Sequence, residues 1–117
     1  MPFVLFDVDG VVVDYDGKLR PGARELMIGF AAMGYEIRMW SGNGCEHASD
    51  VAEKYDLPCE SFTTKPPYPM TRTSVVNVMA GTPSLQFDDD YSEYVGDWPF
   101  VHIHCAGKMP GRTKKVK

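Results

Sequence analysis

Phe3-Val4-Leu5-Phe6-Asp7-Val8-Asp9-Gly10 is a run of four apolar residues that ends in two acids and a glycine. An uninterrupted apolar run of this kind suits a strand covered on both faces, as in a parallel sheet; a strand with one wet face would alternate. An acid directly behind such a strand is poorly solvated unless something pairs with it. The stretch therefore predicts a parallel sheet with a polar site at the carboxyl end of its first strand.

The rest of the chain extends that pattern. Asp14-Tyr15-Asp16-Gly17 is a turn signal between Val11-Val12-Val13 and Leu19, so a small flap or hairpin is expected over residues 11–20. Pro21 opens a helix in which Ala23, Leu26, Met27, Phe30 and Met33 recur at helical spacing until Gly34. Tyr35 to Trp40 alternates as a strand does and leads into the loop Ser41-Gly42-Asn43-Gly44, where Asn43 is expected to cap the next helix. In that helix Ala48, Val51, Ala52 and Tyr55 make one apolar stripe. Cys59 to Thr63 reads as a short strand before the break at Pro66-Pro67, and Thr73 to Ala80 as a helix stopped by Gly81, although Val75, Val76 and Val78 also suit a strand. Ser84 to Phe87 and Phe100 to Cys105 are the fourth and fifth strands, and Asp90-Tyr91-Ser92-Glu93 has the spacing of a capping box for a short helix between them.

Strands alternating with helices predict an α/β fold with a Rossmann-like, doubly wound, mainly parallel five-stranded sheet. The 117 residues suffice for one domain over residues 1–107. With 44% hydrophobic and 24% charged residues, the composition fits neither a disordered nor a fibrous chain. No apolar run approaches the roughly 20 residues needed to span a bilayer, and no basic region precedes Phe3, so a cytoplasmic protein without membrane span or secretory signal is expected. Cys45, Cys59 and Cys105 show no CxxC spacing, which points away from a disulfide framework or zinc site and toward small buried apolar residues.

The net charge of −4 conceals an asymmetry. Residues 1–107 carry 7 basic and all 16 acidic residues, a charge of −9, whereas Lys108, Arg112, Lys114, Lys115 and Lys117 lie in the last ten residues with no acid. Residues 108–117 read as a basic, flexible tail, solvated or in loose contact with a polyanion such as nucleic acid.

In doubly wound sheets ligands bind at the carboxyl ends of the strands, so the residues behind each apolar run should converge. These are Asp7 and Asp9, Ser41, Lys65, and Asp88 with Asp89. Carboxylates within about 4 to 6 Å of one another repel, and keeping all of them ionised requires a cation. All-oxygen ligation favours a hard ion, Mg²⁺ first among them. A hydroxyl and an ammonium opposite such an ion suit a phosphoryl group, whose oxygens need hydrogen bonds and positive charge.

With the residues assembled in this order, the chain resembles the haloacid dehalogenase (HAD) superfamily. Phe6-Asp7-Val8-Asp9-Gly10-Val11 is similar to its first motif, and Ser41, Lys65 and Asp88-Asp89 follow in the order of its second, third and fourth. The resemblance covers nearly the whole chain. It implies that Asp7 is a nucleophile forming an aspartyl-phosphate, and that Asp9 is the general acid and then the general base. It implies that Ser41 and Gly42 bind phosphate, that Lys65 offsets charge on nucleophile and phosphate, and that Asp7, Asp88 and the backbone carbonyl of Asp9 hold Mg²⁺ with Asp89 in direct or water-mediated support. The second acid, Asp9, favours a phosphatase over a dehalogenase. Gly10–Arg20 and Gly42–Lys65 leave room for a flap and one helix–strand unit but for no cap domain. An open site suits a macromolecular phosphate end, or a small phosphoester covered by a second subunit of a homo-oligomer. The alternative on the same fold is a phosphate-binding or regulatory protein without turnover. A phosphoacceptor receiver domain uses similar residue types in a different chain order. His102 and His104 lack a third ligand at suitable spacing and read as structural, Tyr91, Tyr94 and Trp98 read as core or rim aromatics, and nothing in the sequence chooses whether Tyr15 and Lys18 of the flap touch substrate.

The basic tail leads to a prediction. Removal of residues 108–117 is expected to lower turnover of 3′-phosphorylated oligonucleotides and to leave hydrolysis of p-nitrophenyl phosphate intact. Equal activity of the truncated protein on both would exclude a polynucleotide role for the tail.

Overall fold

A computed structural model describes residues 2–90 and 94–104. The basic tail, Cys105 and Tyr91–Glu93 of the expected capping box lie outside the described residues.

The first strand, β1 (Phe3–Asp7), is buried along its whole length. Its side chains alternate between two cores: Val4 and Phe6 enter one, Phe3 and Leu5 the other. This is why the run is continuously apolar. The remaining elements are α1 (Ala23–Ala32), β2 (Glu36–Ser41), α2 (Cys45–Lys54), β3 (Ser61–Thr64), α3 (Arg72–Met79), β4 (Leu85–Asp88) and β5 (Phe100–His102). The sheet order is β3-β2-β1-β4-β5, and every pairing is parallel. The fold is α/β with a five-stranded, all-parallel sheet.

The chain winds outward from β1 through β2 to β3 with α1 and α2 on one face. Met27 of α1 and Ala48, Val51 and Ala52 of α2 share a core with Val4, Phe6, Ile37, Met39 and Phe87. It then returns to the other side of β1 by way of α3, whose Val75 and Met79 pack with Phe3, Leu5 and Trp40 on the opposite face. Strand order reverses between β1 and β4, and there the carboxyl ends diverge into a crevice. Phe6 is in register with Phe87, so Asp7 and Asp88 leave the sheet side by side.

Several boundaries differ from the sequence expectation, each for a local reason. Pro21 lies just outside α1, because Gly22 at φ +85° makes the bend into the helix. On that helix Met27 is buried and Phe30 packs edge-on to Phe6, but Met33 is 70% exposed at the C-cap. Asn43 does not cap α2: Gly44 occupies the cap position with no side-chain hydrogen bond, and the Asn43 amide is used elsewhere. Helix α3 starts one residue early because Thr71 and Ser74 close a reciprocal capping box. Strand β5 is only three residues long, and residues 94–99 carry no helix. Trp98 is buried, with its indole N–H donating to Gln86 at 2.7 Å. Burial pushes the Cys59 thiol up to about 11, so it is inert. Cys45, expected to be buried, is exposed at the start of α2.

The expected flap exists as a tight hairpin. Val13 and Leu19 form an antiparallel bridge, and the Asp14 carboxylate accepts from the backbone N–H groups of Asp16 and Lys18. The Tyr55 hydroxyl, at the end of α2, donates to the Gly17 carbonyl at the flap tip at 2.6 Å. No helix among the described residues is long and apolar enough to cross a membrane.

Leu5 is fully buried at the centre of the sheet, on the α3 side. Leu5→Ala is expected to destabilise the protein by about 2–5 kcal/mol, read as a lower urea midpoint at unchanged slope.

Candidate functional site

The turn after β1 is built by its own backbone. The Val8 carbonyl accepts from the N–H groups of Val11, Val12 and Val13, and the Gly10 N–H donates to the Val13 carbonyl at 2.7 Å. Gly10 adopts φ +87°, and a Cβ there would run into the Asp89 carboxylate and the Tyr15 hydroxyl. Only glycine fits that position. The turn aims Asp7 and Asp9 in different directions from one loop. Asp7 Oδ1 accepts from the N–H of Val8 at 2.9 Å and stays buried at the sheet edge, whereas Asp9 is half-buried and faces the start of α2.

Lys65 follows β3 and continues the pairing of β2 with β3: its backbone N–H donates to the Ser41 carbonyl at 3.0 Å. That bond sends its side chain inward under the site. Its Nζ lies 3.1 Å from Asp7 Oδ1 and 3.3 Å from Asp88 Oδ2, with the side chain only 9% exposed. The Trp40 ring lies 5.5 Å from the same ammonium. Lys54, the other lysine close in sequence, is on the surface beside Tyr55 and takes no part.

Asp88 is completely buried and receives the backbone N–H of Asp90 at 3.0 Å as well as Lys65. Asp89 is half-buried and accepts a short hydrogen bond from the Tyr15 hydroxyl, so this flap residue reaches the site; Lys18 of the same flap is exposed. Oxygens of Asp7, Asp88 and Asp89 all lie within 4.8 Å of one another, and no other cluster of three such ligands occurs among the described residues. Burial, then the neighbouring Asp88 charge, holds the Asp7 carboxyl well above its ordinary value, with Lys65 pulling the other way. One ammonium shared by the two buried acids does not offset the crowding. A hard divalent cation fits this donor set, since all three groups offer oxygen and their mutual repulsion is the feature a cation relieves.

On the β2 side, Ser41 is the last residue of the strand and almost fully buried, and its Oγ accepts from the N–H of Asn43 at 2.9 Å. Gly42 is exposed in the turn beyond it, with open space around its Cα. Asp9 lies outside the carboxylate cluster; its Oδ2 accepts from Asn43 Nδ2 at 3.0 Å and its Oδ1 lies 3.2 Å from His47 Nε2. His102 is at the opposite border of the site, where its Nε2 lies 3.1 Å from the Asp89 carbonyl, and the His104 carbonyl accepts from Arg20.

The four acids, one hydroxyl and one lysine expected from the sequence thus gather at one sheet edge. Asn43, His47 and Tyr15 join them, and sequence reasoning misses the first two. The available signal was their spacing behind Ser41, two and six residues on, which brings both to the amino end of α2. Comparison of the chain with protein-family models, with curated proteins and with solved structures finds no match.

An acid held above its ordinary pKa contributes stability that is complete below that ordinary value and is lost as pH rises toward the raised one. The metal-free protein is therefore expected to lose thermal stability as pH climbs from about 4. Mg²⁺ should restore it, by about 2.7 kcal/mol at a hundredfold excess over the dissociation constant, with a larger gain near neutral pH than near pH 4. Thermal unfolding followed by circular dichroism, with Mg²⁺ or with chelator, reads both effects. A gain that does not vary with pH, or that survives Asp88→Asn, would exclude this cluster as the metal site.

Proposed function

We propose that the protein is a Mg²⁺-dependent phosphomonoester phosphatase of the capless type in the HAD superfamily, working through an aspartyl-phosphate. The observation that carries this reading is the Lys65 ammonium held between Asp7 and Asp88, with Asp89 completing a carboxylate cluster at the point where strand order reverses. The motif order along the chain supports it independently, because nucleophile, hydroxyl, lysine and second acid pair come from four successive strand ends.

In this reading the phosphoryl group sits between the end of β1 and the turn after β2. Ser41 and the backbone at Gly42 hold its oxygens, and Lys65 compensates their charge. An Asp7 oxygen attacks phosphorus in line, the bond from phosphorus to the leaving oxygen breaks, and Asp9 gives its proton to that oxygen. Water then attacks the phosphorus of the aspartyl-phosphate while Asp9 takes its proton, and the bond between phosphorus and Asp7 breaks to return the free carboxylate and inorganic phosphate. Asp7, Asp88, Asp89 and the Asp9 carbonyl would hold Mg²⁺, which supplies charge compensation for nucleophile and phosphate. Asp9 is suited to proton transfer because it stands apart from the crowded acids and is 36% exposed, open to both leaving group and water.

The edge, bordered among the described residues by the flap, the turn after β2 and His102, favours substrates that bring their own bulk, such as a phosphate end of a polymer, or small phosphoesters enclosed by a second copy of the chain. Purified protein is expected to hydrolyse p-nitrophenyl phosphate with Mg²⁺ and not with chelator, and Asp7→Asn to lower kcat by at least about a thousandfold. Binding of phosphate without turnover by the wild type would identify a non-catalytic phosphate-binding protein instead. Activity unchanged in Asp7→Asn would reject the aspartyl-phosphate route.

A further inference from the structure

His47 is a side chain without an evident structural task. It lies in the first turn of α2, is half-exposed, caps nothing and belongs to neither core. Its Nε2 nonetheless lies 3.2 Å from Asp9 Oδ1, while Asn43 Nδ2 lies 3.0 Å from Oδ2 of the same carboxylate. Both oxygens of a partly exposed acid are thus held by one segment, the turn and first helical turn that follow Ser41.

We propose that His47 is a positioning residue that fixes the Asp9 carboxylate for proton transfer to the leaving oxygen and from water. The proposal rests on the phosphatase reading and adds a part to it. An aspartate on an open loop can choose among staggered rotamers, and proton transfer needs one of them within about 3 Å of the reacting oxygen. Asn43 alone would leave the carboxylate free to swing about the Oδ2 contact; a second tether at Oδ1 removes that freedom. The tether is stiff because the next residue, Ala48, is fully buried and, with Val51 and Ala52, locks α2 against the sheet. The same segment starts directly behind Ser41, so phosphate holder and proton donor are set in one frame. Asp9 is thereby ordered before substrate arrives, which is where a misplacement of about 1 Å can cost a hundredfold in rate.

The test compares two substrates and two backgrounds in the full-length protein. His47→Ala is expected to lower kcat about ten- to a hundredfold on an alkyl phosphate, with KM nearly unchanged. The loss on p-nitrophenyl phosphate should be smaller, since its leaving group scarcely needs a proton. His47→Gln, which keeps an N–H donor at a similar reach, should recover most of the rate. In an Asp9→Asn background, His47→Ala should cause no further loss. Thermal midpoints of all variants close to that of the wild type would show that folding is intact. Independently of turnover, the ¹⁵N resonances of the His47 ring should move when Asp9 is replaced by Asn. Equal losses on both substrates, no recovery in His47→Gln, or full additivity with Asp9→Asn would overturn the role of His47 and leave the phosphatase reading standing. A wild type that turns over no phosphomonoester while the ring resonances still report the pairing would defeat the phosphatase reading, and the role of His47 with it.

Discussion

Two neighbouring parallel strands deliver Asp7 and Asp88 side by side to one edge of the sheet, and the repulsion between these carboxylates is the constraint on which the site depends. In an antiparallel pair the two acids would leave the sheet at opposite ends. Here the topology forces them together, and Asp89 adds a third oxygen donor. The protein answers with one buried ammonium, Lys65, and one hydroxyl, Tyr15, neither of which neutralises the cluster. Removing Lys65 would leave the two buried acids without their shared ammonium, a loss that is strongly destabilising even where the intact pair adds little net stability.

The same edge separates two kinds of acid within three residues. Asp7 is buried among like charges, whereas Asp9 is half in water between an amide and an imidazole. A single turn, with Gly10 at its tightest point, makes this division possible by reversing the chain under Asp89 and Tyr15.

Much of this was legible in the sequence, for identifiable reasons. The run Phe3–Phe6 read as a doubly covered strand because each face of β1 does meet its own core. The site residues were legible because a parallel sheet turns chain order into spatial order: whatever follows each strand meets at one edge. What escaped depends on side-chain direction. Asn43 looked like a helix cap, a local task, but glycine caps α2 by backbone alone and the amide turns across the gap to Asp9, 34 residues away in sequence. His47 was not marked by periodicity, which picks out only the buried stripe of α2; its one signal was its place six residues behind Ser41. Tyr15 could be assigned to the flap, but its reach to Asp89, 74 residues on, follows only from how the hairpin folds back.

The bond between the Tyr55 hydroxyl and the Gly17 carbonyl ties the flap tip to α2. The flap tip leans on the far end of the helix whose near end holds Asp9, so both are tied to one rod of ten helical residues, about 15 Å long. Through that one helix, a change that tilts α2 shifts the flap tip and the Asp9 carboxylate together.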